Sequence, residues 1–326
     1  MMKIIWRKLS YRYPTIRCIY NKSKILFFIK DKIHKRRLRD KTIFNFLELS
    51  QDYPFYTTEC YGQNELYGNN MAVKAFLKLP RHKSLNGIIE HGLYFGEYFY
   101  EDEVNFNGSG KYFTFSDYRR AALEKGGISA ENITVVGPYI VHTPSLIETP
   151  WFKRTKEELK KTLTVFAAHS IDGFNSDYEA QELITEIEKI KNTGSFDTVL
   201  ICLYWKDIQD KKYIPFENAG YKIVTAGHQN DSEFLSRLRL IIELSDSTMS
   251  NLLGTHLGYC IALGKPHYYF AHMVVQTGPK VDAAFEGERG QLIAQEKKLF
   301  AEMFGKYSEK ITTEQLKLVH RYWGPF

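Results

Sequence analysis

A chain of 326 residues, 44% apolar and 25% charged, is long enough for two α/β domains of about 150 residues each and too apolar to remain disordered. Aromatics reach 15%, with 22 Tyr and 22 Phe, a load that suits a large core and a surface able to stack on sugars or bases. The four cysteines, Cys18, Cys60, Cys202 and Cys260, are far apart and form no CxxC pair. This argues against a disulfide scaffold or a structural zinc site and for a reducing compartment.

Charge is unevenly distributed. Residues 1–41 carry 14 Lys/Arg against Asp31 and Asp40, whereas the remainder carries 30 basic and 36 acidic residues. The longest apolar run in this leader, residues 25–29, has five residues, where a spanning helix needs about 20 and a signal-peptide core about 7–15. Trp6, Tyr11, Tyr13, Tyr20, Phe27 and Phe28 are interleaved with the basic residues. Each basic residue near an anionic bilayer is worth about 1 kcal/mol, and aromatics settle at headgroup depth. The expectation is a cytoplasmic protein held peripherally on the anionic inner face of the cell membrane through residues 1–41. A solvated basic arm is the alternative. No recognised nucleic-acid module accompanies the arm, so nucleic acid is not an expected partner.

In the first half, residues 87–89 lead into His91-Gly92, and residues 112–115 and 133–136 read as strands. Residues 121–126 read as a helix ending at glycine. This alternation predicts a Rossmann-like domain over 42–145. The stretch 142–154 holds two prolines and little periodicity, which predicts a linker over 146–161.

From residue 162 the pattern is regular. Strands are predicted at 162–167, 196–203, 221–225, 247–250 and 266–270, with helices between them. One helix runs from an N-cap at Ser176 to about Lys191, a second covers 231–244, and a third covers 255–263. Strands alternating with helices predict parallel βαβ units and a doubly wound sheet over 162–290, followed by a helical segment over 291–326. Ligands bind outside the carboxyl ends of such strands, so the loops after residues 168, 225 and 250 are where chemistry is expected.

The sharpest local string is Ser250-Asn251-Leu252-Leu253-Gly254-Thr255-His256. A strand ends, a small-residue turn follows and a helix begins, so free backbone N–H groups and the helix dipole suit a diphosphate. A plain capped turn has the same spelling. His169-Ser170 and His228 stand just past two other strand ends. The three histidines His169, His228 and His256, on one edge of the sheet, can contact phosphate or ribose oxygens. A metal site is not expected, because they lack HxH or HxxxH spacing. In the first half His91 is a candidate general base facing an interdomain cleft, with Glu90 and Glu97 as alternatives. The bland reading makes His91 a loop-bonding residue. GxGxxG, GxSxG, P-loop and DxD motifs are absent.

Four strings together give a resemblance. They are His91-Gly92 with Gly96 downstream, the block 112–116 followed by Gly137-Pro138-Tyr139-Ile140, the segment 247–258 with Gly264-Lys265-Pro266, and the terminal Tyr322-Trp323-Gly324. Over residues 85–326 the chain resembles GT-B-type glycosyltransferases of bacterial capsule, lipopolysaccharide and other surface polysaccharide biosynthesis. It also resembles the teichoic-acid glycerophosphotransferases in its His-Gly and its small-residue turn. The resemblance implies an α/β protein with two Rossmann-like domains whose parallel sheets face each other across a cleft. The first would hold a lipid-linked or oligosaccharide acceptor and the second a nucleotide-sugar donor, with no metal or other cofactor.

Carried onto this sequence, His91 and Glu97 would be catalytic. His169, Ser170, His228, Ser250, Asn251, Gly254, Thr255 and His256 would bind the donor. The Glu-x(7)-Glu pair of retaining families is absent, which favours inversion. The alternatives are a glycerophosphotransferase or polyol-phosphate transferase on the same fold, or a non-catalytic membrane-associated partner in a polysaccharide assembly complex.

Overall fold

The computed structural model describes residues 19–20, 24–95, 110–171, 173, 175–278 and 287–326. Helix α1 (Ile25–Leu38) is followed by the short α2 (Phe46–Leu49), a 3₁₀ segment Gly62–Gly68 and α3 (Asn69–Phe76). Strands β1 (Gly87–Ile89), β2 (Lys111–Thr114) and β3 (Ile133–Val135) then form a parallel sheet in that order, with α4 (Asp117–Lys125) between the last two. α4 begins earlier than the pattern at 121–126 suggested, because the Ser116 side chain accepts the Arg119 N–H and caps it.

Residues 146–161, expected as a linker, hold a ten-residue helix, α5 (Pro150–Leu159). Its start signal is a Thr149 cap with proline in the first turn. The second half contains β4 (Thr162–Phe166), β5 (Asn175–Asp177), α6 (Ala180–Thr193), β6 (Thr198–Cys202), the short α7 (Trp205–Gln209) and α8 (Ile214–Asn218). It continues through β7 (Lys222–Val224), α9 (Phe234–Leu244), β8 (Ser247–Ser250), α10 (Thr255–Ala262), β9 (His267–Tyr269) and β10 (Val275–Thr277). The last elements are α11 (Gly287–Phe304) and α12 (Thr313–Trp323), the latter opened by a Thr312/Gln315 capping box.

Five of these strands make one parallel sheet in the order β7-β6-β4-β8-β9. The α/β class and the two parallel sheets expected of a GT-B-like chain are both present. One local expectation was wrong. Ser176 does not cap α6 but lies in β5, which pairs antiparallel with β10, and its hydroxyl donates to the His169 carbonyl at 2.8 Å.

The large sheet is covered on both faces, and the alternation of its strands divides the core accordingly. Leu163 and Val165 of β4, with Val199 and Ile201 of β6, face Leu183, Ile187 and Ile190 of α6. Phe166, Leu200 and Cys202 face the other way, into a cluster shared with α9, α10 and α12. That second cluster continues without a break into Ile89, Phe113 and Phe115 of the small sheet, so one apolar core joins the two halves.

The last helix fixes this join. α12 packs on both α4 and α10, and its fully buried Trp323 donates from Nε1 to the Thr255 carbonyl at 3.0 Å. Gly258 lets the indole approach: a Cβ there would stand 2.1 Å from Trp323. Gly324 follows with φ +82°, and a Cβ on it would stand 2.1 Å from the Phe115 carbonyl oxygen.

Residues 42–53 open the segment expected as the N-terminal domain, yet they lie against the C-terminal sheet. The Ile43 carbonyl accepts the Thr225 N–H at 3.1 Å, Phe46 meets Tyr213 at 5.2 Å, and Gln209 donates to the Ser50 carbonyl at 2.8 Å. Within the basic leader, Asp31 and Leu38 of α1 are buried, Leu38 in a small cluster with Leu49 and Tyr53. Leu26, Phe27, Phe28, Ile29 and Ile33 are exposed. Among the described residues no helix is long and apolar enough to cross a membrane. Trp6, Tyr11 and Tyr13 lie outside the described residues.

Candidate functional site

After β4 the chain builds β6 and β7 on one side, then returns to build β8 and β9 on the other. The two loops that part at this reversal, 167–170 after β4 and 251–254 after β8, bound a crevice where α/β sheets bind ligands. The neighbouring helix, α10, has no side-chain cap, since its N-cap is Gly254. The backbone N–H groups of its first turn therefore keep part of their free donor capacity.

Several of the expected donor-binding side chains here are engaged by the protein itself. Asn251 Oδ1 accepts the Ala168 N–H at 2.6 Å and ties the two loops together, while its Nδ2 lies 3.3 Å from His272 Nδ1. Ser250 Oγ is 3.0 Å from His267 Nε2, and the other ring nitrogen of His267 is 2.8 Å from Thr248 Oγ1. Ser170 is fully buried. Its N–H donates to Asp207 and its Oγ accepts the Ser176 N–H at 3.1 Å and the Lys212 ammonium at 3.2 Å. His228 is buried at the sheet's far edge, after β7, where its Nδ1 accepts the Asn230 N–H at 3.1 Å. Its ring packs on Trp205 at 4.2 Å and on Tyr53 at 6.1 Å. The structure thus does not bring His228 to the β4/β8 crevice.

His169 and His256 do meet there, with His267 as an unforeseen third. The His256 ring stacks on Phe166 at 5.0 Å and lies 5.8 Å from His267, and its Nε2 is buried without a hydrogen-bond partner. Burial, helped by neighbouring His169, pushes the His256 pKa down to about 3. Burial also lowers His169, against the opposing pull of Asp207. Burial and then His256 hold His267 well below the usual imidazole range. At neutral pH this is a cluster of neutral imidazoles, able to donate and accept hydrogen bonds but not to neutralise an anion. Favourable charge at the crevice comes instead from the α10 N-terminus.

Asp207 was not foreseen. It sits in the first turn of α7, 1% exposed, accepts the Ser170 N–H at 3.0 Å and lies 3.3 Å from Lys212. The sequence offers only an acidic residue shortly after a strand, and nothing in the pattern points it at Ser170.

The small sheet's strand-end loop reaches the same place. The Leu93 N–H donates to Thr255 Oγ1 at 3.0 Å, and a Cβ on Gly92 would lie 3.7 Å from that oxygen. His91, one residue earlier, is half-buried, and its Nδ1 is buried without a partner. Burial lowers its pKa, with the Ile89 backbone pulling the other way, so it too is a neutral imidazole at pH 7. Glu90, the alternative base, is unsuited to that role. It is 1% exposed, accepts from Thr114 Oγ1, and is paired with the fully buried Arg119 at 2.6 Å. Glu97 lies outside the described residues. Among the described residues no group of three His, Cys, Asp or Glu is arranged to hold a metal ion.

No protein-family profile matches this chain, and no curated protein matches it. Some solved structures are similar to it. One is the UDP-GlcNAc 2-epimerase from Methanocaldococcus jannaschii in complex with UDP-GlcNAc and UDP, at 11% identity and TM-score 0.41 over 86% of this chain and 84% of that one. The wall teichoic acid polymerase TagF is similar at 13% identity and TM-score 0.38, over 65% of this chain and 53% of that one. A glycosyltransferase from Rickettsia africae is similar at 14% identity and TM-score 0.33, over 72% and 66%. This chain spans about half of the polymerase structure. At these values the likenesses assign no function.

Proposed function

We propose that the chain is a GT-B-type glycosyltransferase that moves a sugar from a nucleotide-activated donor to a lipid-linked or growing bacterial surface glycan, by inversion and without a metal. One observation carries the reading. At the reversal point of a parallel sheet, an uncapped helix start, a buried imidazole nitrogen without a partner and the strand-end loop of a second parallel sheet converge around Thr255. A departing diphosphate would take the backbone N–H groups at Gly254, Thr255 and His256, assisted by the dipole of α10. His256 Nε2 would hydrogen-bond the donor, with His169 beside it. His91 would accept the proton of the attacking hydroxyl through a ring nitrogen that burial keeps unprotonated at neutral pH. Asn251, Ser250 and Ser170 hold these loops in shape and act as positioning residues.

The exposed apolar side chains and basic residues of α1 support peripheral attachment to an anionic membrane on its cytoplasmic side, which would bring a lipid-linked acceptor close. A second reading is polyol-phosphate transfer on the same fold. It is favoured by the partnerless His256 nitrogen in the cradle, which could hydrogen-bond a phosphoryl oxygen.

A thermal-shift panel of UDP, GDP, CDP and CMP tests both. Ligand binding only to the folded state raises the melting point, by an amount that reports affinity. Stabilisation by UDP or GDP supports sugar transfer, stabilisation by CDP or CMP alone moves the assignment to polyol phosphate, and silence to all four refutes a donor site.

A further inference from the structure

The loops after three adjacent strands of the large sheet form a row on the β4 side of the crevice. His169 follows β4, Tyr204 follows β6 and Gln229 follows β7. The Tyr204 ring lies 5.0 Å from the His169 ring, and its hydroxyl donates to Gln229 Oε1 at 2.8 Å. The first half of the chain reaches this row through Tyr67, in the 3₁₀ segment Gly62–Gly68. The Tyr67 hydroxyl is 3.2 Å from that of Tyr204, and the Tyr67 N–H donates to the Gln229 carbonyl at 2.7 Å. Gly68 is pressed onto the same loop: a Cβ there would stand 2.2 Å from the Ser232 carbonyl oxygen. Tyr67 and Gln229 are both half-buried.

To stand there, Tyr67 occupies a backbone region that bulky residues avoid. Leu66 (φ −55°, ψ 133°) and Tyr67 (φ 60°, ψ 5°) have the dihedrals of the central pair of a type II turn, whose second position favours glycine. The other described non-glycine residues with positive φ are Lys78, Lys160, Ser195 and Lys211, and all are exposed. Tyr67 alone among them is aromatic and set between the two halves. Strain of this kind persists where surrounding contacts hold a side chain in one place, and it concentrates at ligand sites.

We propose that Tyr67 and Tyr204 form the nucleoside end of the donor site, with the Tyr67 ring and hydroxyl against the nucleoside. The inference rests on the reading of the crevice as a nucleotide-sugar site. A diphosphate on the α10 N-terminus and a reacting carbon toward His91 leave the nucleoside to extend the other way, past His169 along the row. Two phenol hydroxyls and the Gln229 amide suit the polar edges of a base or ribose, and an aromatic face stacks on any base. The nucleoside is then held by residues from both halves of the chain.

Calorimetric titration of the full chain and of Tyr67→Phe and Tyr67→Gly with UDP, GDP, CDP, UDP-glucose and inorganic pyrophosphate tests this. The nucleoside diphosphate that binds wild type most tightly should bind Tyr67→Phe about three- to tenfold more weakly, the value of one neutral hydrogen bond. Its affinity for Tyr67→Gly should fall at least about tenfold, as stacking is lost too. Glycine takes a φ of 60° without strain, which offsets the lost ring contacts, so the melting temperature of Tyr67→Gly should stay near wild type. Pyrophosphate, which has no nucleoside, should bind all of them alike. Unchanged nucleotide affinity in both variants would overturn the proposal, as would an equal loss for pyrophosphate. A loss for UDP-glucose without one for UDP would also overturn it, by placing Tyr67 at the sugar. Failure of wild type to bind any nucleotide would instead refute the donor site itself, and this proposal with it.

Discussion

Gly258→Ala probes the join between the two sheets. Alanine is favoured over glycine inside a helix by about 1 kcal/mol, so a helix considered alone would be stabilised. Here the new methyl would sit 2.1 Å from Trp323 Cδ2 and 2.2 Å from Cε2. The indole cannot slide aside, because its neighbour Gly324 is pinned against the Phe115 carbonyl. Overpacking of this kind costs about 1–3 kcal/mol, and losing the Trp323 Nε1 to Thr255 hydrogen bond adds about 1 kcal/mol. Partial loss of a fully buried tryptophan's packing pushes toward the upper end, where complete removal costs about 3–5 kcal/mol. The net expectation is destabilisation by about 2–4 kcal/mol, or a fall of roughly 3–6 °C in melting temperature for a chain of 326 residues. Urea and thermal unfolding of the purified variant measure it, and adding Trp323→Leu to Gly258→Ala should recover part of the loss. A midpoint equal to or above wild type would refute the claim that this contact holds the sheets together.

The buried imidazoles make stability depend on pH. His169, His256 and His267 have lowered pKa values in the folded protein, so the unfolded chain binds more protons below about pH 6.5. Stability should therefore fall as pH drops below 6.5, and His256, whose folded value is pushed down to about 3, should contribute about 2 kcal/mol of that fall between pH 6.5 and 5. His256→Gln should flatten that slope in urea titrations, and an unchanged slope would contradict a neutral His256. Thr255→Val removes the acceptor of the Leu93 N–H and should cost about 1 kcal/mol, with Thr255→Ser restoring it in the same unfolding assay. His91→Ala should lower turnover by at least a hundredfold with nucleotide affinity nearly unchanged. A collapse of nucleotide affinity instead would move His91 to the donor side.

Much of the C-terminal sheet is legible in the sequence because its strands are buried on both faces and include continuous apolar runs, such as Val199 to Cys202. The β5/β10 pair is illegible for the opposite reason: Asn175-Ser176-Asp177 carries no apolar pattern, and its pairing with 275–277 is purely tertiary. α5 was hidden by its own start, since Pro150 reads as an interruption unless the preceding Thr149 is recognised as the cap. At the candidate site, topology alone points to the strand-end loops but not to what their side chains bond. Asn251 and Ser170 have the chemistry of ligand donors, but buried loops have polar backbone groups of their own to satisfy, and these side chains do so, while Ser250 is engaged by the His267 ring. Asp207 and Lys212 reach the site only because β6 lies beside β4, an adjacency that no local window contains.

The clasp made by α12 has a consequence for how the molecule comes into being. The residues that lock the small sheet to the large one, 313–325, follow both sheets in the chain, so a ribosome delivers two nearly finished layers before it delivers their fastener. Until Trp323 seats over Gly258, the apolar surface shared by the layers stays open to unintended neighbours, and correct docking waits on contacts distant in sequence.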